Sequence, residues 1–164
     1  MALLIADANY TDPVHARGIV DVLDSYARDP KGGSQPLRPD VRARLVPALR
    51  EHPTALVLLA LADSGPIGVA VCFLGFSTFE ARPLVNVHDL AVLPEHRGRG
   101  VGRALLAGVE QRARARGCGK LTLEVQDDNE PARRLYERFG FRDFAVGELA
   151  VPTRFLSKRL ERAT

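Results

Sequence analysis

The chain alternates between hydrophobic patterns typical of helices and patterns typical of strands. Helical segments repeat apolar residues at three- or four-residue steps, and the clearest of them places Val101, Leu105, Val109 and Ala113 on one side. We expect this stripe to be buried and Gly117 to end the helix in a left-handed conformation. The predicted helices cover residues 15–28, 39–51, 98–116 and 131–139.

The first helix has both a start signal and a side to bury. Thr11-Asp12-Pro13 precedes it, and a capping residue followed by Pro in the first turn is a common way to begin a helix. Its apolar positions Ile19, Val22 and Leu23 are expected in the core. The next segment, residues 29–36, is rich in Gly, Pro and Ser and predicts a loop between the first two helices.

Short apolar runs bounded by turn-forming residues predict strands. Two of these runs are separated by Asp63-Ser64-Gly65-Pro66, so we expect an antiparallel hairpin there. The predicted strands cover residues 2–6, 54–62, 67–76, 85–93, 120–125, 141–149 and 154–158. Consecutive strands in the first half, followed by strands that alternate with helices, predict an α/β (α+β) fold with a mixed, mostly antiparallel sheet and helices on both faces.

The composition fits a single domain over residues 1–164, since 46% of the residues are hydrophobic and 26% are charged. Residues 1–5 are apolar but too short for the core of a signal peptide. No apolar stretch approaches the ~20 residues that a membrane helix requires. We therefore expect a cytoplasmic protein with no membrane partner.

The net charge of +3 does not by itself indicate nucleic-acid binding. The arginines lie among acidic residues in helices rather than in one tail, and the chain has 6% aromatic residues and no Trp for base stacking. We expect no nucleic-acid partner. The modest positive excess also suits a polyanionic cofactor.

Cysteine and histidine residues give no sign of a metal site. Cys72 and Cys118 have apolar surroundings and no partners at metal-ligand spacing, so we predict two buried thiols. Three histidines also lack ligand-like company: His15, His52 and His96.

Glycines cluster between the apolar run that ends at Pro94 and the helix that follows it, in the segment Arg97-Gly98-Arg99-Gly100-Val101-Gly102. A backbone without Cβ atoms can turn sharply and present several N–H groups to one anion, and the N-terminus of a helix adds further unpaired N–H groups. The segment therefore predicts a phosphate-binding turn. A dinucleotide motif would need glycine in place of Arg103, and a P-loop would need Gly-Lys-Ser/Thr, so another phosphorylated ligand is expected.

A second block lies downstream, Asn129-Glu130-Pro131-Ala132-Arg133-Arg134-Leu135-Tyr136-Glu137-Arg138-Phe139-Gly140-Phe141. Together with Arg97, Gly100 and Gly102 in their strand-loop-helix setting, it resembles the signature of the GNAT superfamily of N-acetyltransferases. The two blocks span residues 85–144, about a third of the chain. The first half of the chain matches in its coarse layout.

The resemblance implies a sheet in which two parallel neighbouring strands splay apart, with the pantetheine arm of acetyl-CoA in the gap between them. Here these strands correspond to residues 85–93 and 120–125. Leu90 and Val92 are expected to hydrogen-bond the pantetheine amides through their main-chain groups, as a neighbouring strand would.

The resemblance also implies that the pyrophosphate of acetyl-CoA lies on main-chain N–H groups at the start of the third helix, with Arg97 and Arg99 adding positive charge. Arg133 and Arg134, like Arg103, are consistent either with a contact to the ribose phosphate or with a solvated helix face. The residues expected to bind in this segment are Arg97, Gly98, Arg99, Gly100, Val101, Gly102 and Arg103.

Two residues of the second block are candidates for chemistry or for structure. The phenol of Tyr136 could donate a proton to the departing thiolate, and the alternative is a core tyrosine on an amphipathic helix. Asn129 precedes the same helix and either caps it or contacts the CoA arm.

The general base is less clearly marked. His88 lies on the strand beside the expected acetyl group, and its ordinary pKa of ~6.5 suits the removal of an ammonium proton through water. Many members of the superfamily have a carboxylate near this position, so Asp89, Glu80, Glu124 or water alone remain alternatives. Because side chains alternate along a strand, His88 and Asp89 point to opposite faces unless a bulge intervenes, so we expect one of them to reach the site.

The overall expectation is an acetyl-CoA-dependent N-acetyltransferase in which the amine of a small molecule or peptide attacks the thioester directly within a ternary complex. The alternative is a catalytically inactive acyl-CoA-binding sensor. The resemblance further implies an acceptor pocket near the loop of residues 29–36 and a possible homodimer. Three phenylalanines either line that pocket or pack in the core and along a strand edge: Phe73, Phe76 and Phe79.

Overall fold

The computed structural model describes residues 2–143 and 156–158, and these contain five β-strands and four α-helices. In chain order the elements are β1 (Leu4–Asp7), α1 (Pro13–Arg28), α2 (Pro39–Glu51), β2 (Ala55–Ala62), β3 (Gly65–Ser77), β4 (Arg82–Val92), α3 (Val101–Ala115), β5 (Lys120–Leu123) and α4 (Glu130–Phe139). A short 3-10 turn, Pro94–His96, follows β4. None of these helices has the length and apolar character needed to cross a membrane.

The five strands form one sheet in the order β1-β2-β3-β4-β5. Neighbouring strands are antiparallel except for β4 and β5, which are parallel. This arrangement confirms the predicted mixed, mostly antiparallel sheet. The predicted hairpin is confirmed as well, since Asp63 and Ser64 form the turn between β2 and β3.

The helices α3 and α4 pack on one face of the sheet. Val101, Leu105 and Val109 are at most 1% exposed and Ala113 is 3% exposed, so the predicted stripe is confirmed. Its side chains join alternate residues of β2, β3 and β4 in one apolar cluster. Full burial of each large side chain contributes roughly 1.5–3 kcal/mol, which fixes α3 against the end of β4.

The helices α1 and α2 pack on the opposite face. Asp12 caps α1 by accepting a hydrogen bond from the Val14 N–H at 2.7 Å, as its place before Pro13 predicted. Ile19, Val22 and Leu23 are buried in a second cluster with residues of β2 and β3. The two clusters use alternate side chains of the same strands, which is the periodicity of a sheet covered on both faces.

Several predicted element ends differ from the structure, and two of the differences have clear physical reasons. The helix α3 begins at Val101 rather than at residue 98 because Gly98 and Gly100 have φ angles of +72° and +83°, which a right-handed helix excludes. The strand β5 ends at Leu123 rather than at Val125, where it diverges from β4. The predicted left-handed Gly117 is confirmed, with a φ angle of +70°.

The remaining sequence predictions divide into confirmed, wrong and undescribed. Cys72 is fully buried as expected, whereas Cys118 is half-buried. Phe76 and Phe79 are 61% and 96% exposed, so core packing was wrong for both. The strands predicted for residues 141–149 and 154–158 fall largely outside the described ranges.

Candidate active site

The two parallel strands form a fork. Pairing between β4 and β5 ends at Val87 and Leu123, while β4 continues to Val92. The Leu93 N–H donates to the Ile67 carbonyl on β3 at 2.9 Å. Because main-chain groups alternate in direction along a strand, the groups of Leu90 and Val92 point away from β3, into the side that β5 has left.

The fork opens toward the N-terminus of α3. The first backbone hydrogen bond of this helix runs from the Ala104 N–H to the Gly100 carbonyl at 3.0 Å, so the N–H groups of Val101, Gly102 and Arg103 precede the helical hydrogen bonds and can bind an anion. A Cβ atom at Gly98 or at Gly100 would meet no atom within 4 Å, which leaves open space beside this turn.

Gly102 has a packing role in addition to its place in the turn. A Cβ atom there would lie 3.1 Å from Cδ2 of Leu135, so glycine at this position lets α3 and α4 approach closely. The close approach places α4, which carries Tyr136, next to the mouth of the fork.

The arginines of the two blocks lie in different settings. Arg97 donates to the Val92 carbonyl at 3.0 Å and pairs with Asp29 at 2.8 Å, so its charge is already engaged. That both Arg97 and Arg99 add positive charge beside the pyrophosphate stays a prediction. Arg99 is exposed and has no hydrogen-bond or ion-pair partner among the described residues. The guanidinium of Arg103 lies 6.0 Å from the centre of the Phe139 ring.

The second block contributes a cap and a surface cation. The side chain of Asn129 accepts a hydrogen bond from the Ala132 N–H at 3.4 Å, which makes it the N-cap of α4. Arg133 donates to the Asp127 carbonyl at 3.1 Å and lies 3.9 Å from Glu137. Both side chains therefore have structural partners.

A β-bulge shapes β4 at the fork. Val87 is opposite Cys72 on β3, but Asp89 is opposite the adjacent Val71, so His88 is an extra residue in the pairing. The ring of His88 contacts Phe73 edge-on at 5.5 Å. Phe73 and Val71 both belong to the cluster under α1 and α2, so His88 and Asp89 lie on the same face of the sheet. Opposite faces were expected only in the absence of a bulge, and the bulge at His88 is the stated exception, because it shifts the alternation of the side chains.

Asp89 is half-buried, and its charge affects groups on both faces of the sheet: Tyr26 on one face, and Cys72 and Tyr136 on the other. Burial raises the pKa of Asp89, and the nearby His88 opposes this in part. Burial and then the charge of Asp89 raise the pKa of Tyr26 on α1, and the same two causes raise that of Cys72 to about 12. A carboxylate held in this way binds a proton more readily than an exposed one.

Tyr136 approaches the fork from the other face. Its ring contacts Phe141 edge-on at 5.8 Å, and its hydroxyl has no hydrogen-bond partner among the described residues. Burial, followed by the charges of Tyr26 and Asp89, raises the pKa of Tyr136 to about 12. The phenol therefore stays protonated at neutral pH and can donate a hydrogen bond.

The other two candidate bases, Glu80 and Glu124, lie at different distances from the fork. Glu80 pairs with Lys120 at 2.8 Å, at the end of the β4–β5 pairing remote from the fork. Glu124 follows the last residue of β5, and one of its oxygens accepts a hydrogen bond from the Asn86 amide at 3.4 Å. The structure thus brings Glu124 to the fork and keeps Glu80 away from it.

The loop between α1 and α2 spans both arms of the fork. Asp29 pairs with Arg97 beyond the end of β4, and the Lys31 ammonium pairs with Asp128 beyond the end of β5 at 2.5 Å. The Lys31 carbonyl also accepts a hydrogen bond from the Gln126 side chain at 3.4 Å. Sequence reasoning identified the loop but missed these pairs, and the charged residues within a turn-rich segment were the available signal.

The start of α2 is tied to α1 by a buried carboxylate. Asp24 is 7% exposed, contacts Arg28 at 3.0 Å and Arg42 at 2.8 Å, and accepts the Leu37 N–H at 2.8 Å. Burial alone would raise the pKa of Asp24, but these hydrogen bonds outweigh burial and lower it. The loop is thus anchored at its far end as well as across the fork.

Within the described residues, no group of three or more His, Cys, Asp or Glu side chains could hold a metal ion.

A strand fork beside a glycine-rich helix start is the arrangement that the resemblance to the GNAT superfamily implies for this sheet. The family model described as Acetyltransferase (GNAT) family matches residues 19–141, and the chain belongs to this family.

Individual relatives agree with this assignment. Streptothricin acetyltransferase of Streptomyces lavendulae is 40% identical over 80 residues, which are 49% of this chain and 40% of that protein. A solved probable acetyltransferase superposes with a TM-score of 0.75 at 24% identity, covering 97% of this chain and 100% of that one. A third relative is AAC(6')-Iy, which was solved in complex with a bisubstrate analogue, CoA-S-monomethyl-acetylneamine. It superposes with a TM-score of 0.75 at 18% identity, and the match covers 98% of this chain and 100% of the AAC(6')-Iy chain. The structural similarities show a shared fold.

Proposed function

We propose that this protein is an acetyl-CoA-dependent N-acetyltransferase that modifies the amine of a small molecule or peptide. The observation that carries the proposal is the fork between β4 and β5 opening onto the unpaired N–H groups of α3. The fork offers hydrogen-bonding strand groups, and the helix N-terminus offers an anion site. A long cosubstrate with amides in its arm and a pyrophosphate at one end matches both.

The residues present fit this cosubstrate. The main chain of Leu90 and Val92 would hold the pantetheine arm, although the Val92 carbonyl already accepts from Arg97, so its N–H is the free group. The N–H groups of residues 101–103 would hold the pyrophosphate, and the exposed Arg99 would add positive charge. When bound, acetyl-CoA supplies an activated acetyl group as a thioester.

The two faces of the fork suit the two halves of the reaction. Asp89 lies on the face of α1 and α2, and Tyr136 lies on α4 at the opposite face. In acetyl transfer, the nitrogen–carbon bond forms as the carbon–sulfur bond breaks, one proton leaves the amine and one reaches the sulfur. We assign Asp89 as the base for the amine proton and Tyr136 as the donor to sulfur.

The choice of Asp89 over His88 follows from burial. His88 is exposed at the bulge and packs against Phe73, whereas Asp89 is half-buried and its raised pKa makes it a stronger base than an ordinary exposed carboxylate. His88 then has a positioning role, because as the extra residue it places Asp89 opposite Val71, on the face of α1 and α2.

Two relatives support an amine acceptor. One is a streptothricin acetyltransferase, and the other was solved with a CoA conjugate of acetylneamine. The compounds in both names are amines, which agrees with the carboxylates of Asp89 and Glu124 at the face where an acceptor would approach.

The test is to incubate the protein with acetyl-CoA and a panel of polyamines, amino acids, aminoglycosides and peptides while thiol release is followed. The proposal predicts amine-dependent thiol release above the rate of hydrolysis without amine, with an acetylated product of matching stoichiometry by mass spectrometry. Saturable acetyl-CoA binding without turnover across the whole panel would instead support the sensor.

A further inference from the structure

We propose that Glu124, held by Asn86, binds a second positive charge on the acceptor, so that the preferred acceptors are short diamines and amines with a nearby ammonium group. This inference rests on the proposed acetyltransferase function. It adds the chemical class of the acceptor and a residue that selects it.

The position of Glu124 follows from strand register. Asn86 and Thr122 are paired in register, and the Asn86 amide donates to the Thr122 hydroxyl at 3.2 Å and to the Glu124 carboxylate at 3.4 Å. The three side chains therefore share one face. This is also the face of Asp89, because Asn86 is opposite Phe73 of the α1 and α2 cluster.

Glu124 is at the apex of the fork. It is the first residue after the last pairing of β5, and His88 and Asp89 are the first residues after the last pairing of β4. Neighbouring strands lie about 4.8 Å apart, so the two carboxylates face the start of the gap from opposite sides. An acceptor amine beside Asp89 would have its next few carbon atoms within reach of Glu124.

The charge balance at the apex also favours a cationic acceptor. Two acidic residues near the fork, Asp29 and Asp128, pair with cations of the protein. Glu124 has the Asn86 amide as its hydrogen-bond partner and no cation within ion-pair distance among the described residues. Its carboxylate is exposed and negatively charged, so an incoming ammonium group would gain an ion pair without displacing an existing one.

An aromatic shelf continues the same surface. Phe73, which lies opposite Asn86 within β3, contacts His88 edge-on at 5.5 Å and His52 at 4.9 Å. The shelf offers apolar contact for the methylene groups between two amines, and its rings tolerate a cation nearby. An apolar shelf beside an unpaired carboxylate matches an alkyl diamine better than an anionic or neutral acceptor.

The experiment compares kcat/KM for 1,5-diaminopentane with that for pentylamine in the wild-type protein and in Glu124→Gln. The wild type is expected to prefer the diamine, and the variant is expected to lower this preference about fivefold, the size of a partly exposed charge pair. Glu124→Asp should recover part of the preference. Glu110→Gln, which removes a carboxylate that pairs with Arg114 on α3, is the matched control and should keep the wild-type preference.

The outcomes separate the inference from the proposed function. If wild-type and Glu124→Gln proteins acetylate both amines with the same preference, the inference is wrong and the function stands. If no amine is acetylated, the proposed function is wrong. In that case, the role of Glu124 is tested by calorimetric titration, which compares the affinity of the CoA-saturated wild type and Glu124→Gln for 1,5-diaminopentane. Equal affinity in the wild type and the variant, or no binding to either, would overturn that role.

Discussion

The two sides of the fork offer different kinds of binding group: main-chain groups on one side and side chains on the other. On the side of β4 and α3, the candidate contacts come from main-chain groups of one contiguous stretch, residues 90–103. On the side of α1, α2 and the end of β5, they come from side chains of segments far apart in sequence, such as Asp29 and Lys31 in the loop and Glu124 after β5. The first side fits a ligand with a fixed shape, and the second is free to change with the acceptor.

This difference predicts unequal sensitivity to substitution. A main-chain site tolerates most side-chain changes but fails where a glycine must adopt a left-handed conformation beside an anion. A side-chain site responds to each charge that is removed, and the response is limited by solvent screening. Substitutions on the two sides should therefore differ in size and in the kinetic parameter that they change.

The largest effect is expected for Gly100→Asp. This change places a β-carbon at a φ angle of +83° and a negative charge beside the pyrophosphate, and acetyl-CoA affinity should fall about 100-fold or more. Calorimetric titration measures the loss. Gly117→Asp is the matched control, since Gly117 has a φ angle of +70° at the other end of the same helix and should keep wild-type affinity. Wild-type binding by Gly100→Asp would place the anion site elsewhere.

The next effect in size is expected for the two groups that move protons. Tyr136→Phe should lower kcat by about tenfold or more while acetyl-CoA affinity changes little, because the hydroxyl acts on the leaving sulfur. Steady-state kinetics and a binding titration distinguish the two quantities. Tyr10→Phe, at another half-buried tyrosine whose pKa burial raises, serves as the control. An unchanged kcat in Tyr136→Phe removes the phenol from the mechanism.

Asp89→Asn should lower kcat/KM about 100-fold, within the usual contribution of a general base. Because the pKa of Asp89 is raised, wild-type activity should fall with decreasing pH at values above the ordinary carboxyl range, as the base becomes protonated. The variant should lose this acidic limb from its pH profile. His88→Gln should keep the limb and show a smaller loss. Were His88→Gln to remove the limb and Asp89→Asn to retain it, the assignment of the base would be reversed.

The smallest effect is expected for Asp29→Asn on the acceptor side. The Lys31 N–H and then the Arg97 side chain lower the pKa of Asp29, so its ionised form stabilises the fold above the ordinary carboxyl pKa of ~3.9. The variant should lose up to about 1 kcal/mol of unfolding free energy at pH 7.

This difference between the variant and the wild type should shrink as the pH falls through the lowered pKa of Asp29. Urea unfolding at pH 7 and at a pH below the lowered pKa of Asp29 measures this difference in unfolding free energy. Asp63→Asn, at an exposed position in the β2–β3 turn, is the control. A loss that persists undiminished at low pH would mean that the ion pair is not its cause.

Local patterns made much of the fold and of the α3 side predictable. The stripe of α3, the cap at Asp12 and the glycine turn each depend on residues within a few positions of one another. The bulge at His88 was not predictable, because it exists in the register between β3 and β4 rather than in either strand alone.

The ion pairs between residues distant in sequence could not be predicted from the sequence for the same reason. Asp29 and Arg97 are 68 positions apart, and Lys31 and Asp128 are 97 positions apart. Their meeting depends on the finished fold, in which β5 ends early and leaves both arms of the fork near the loop. The chemistry of the acceptor side therefore emerged from the structure, while the sequence supplied the candidates.

The central claim is that main-chain groups of β4 and α3 bind acetyl-CoA, and calorimetric titration of the wild-type protein tests it most directly. The account predicts saturable heat with both CoA and acetyl-CoA, one site per chain, and competition between the two ligands. Titration to millimolar concentrations without heat from either ligand, at two temperatures to exclude an accidental zero of enthalpy, would contradict it.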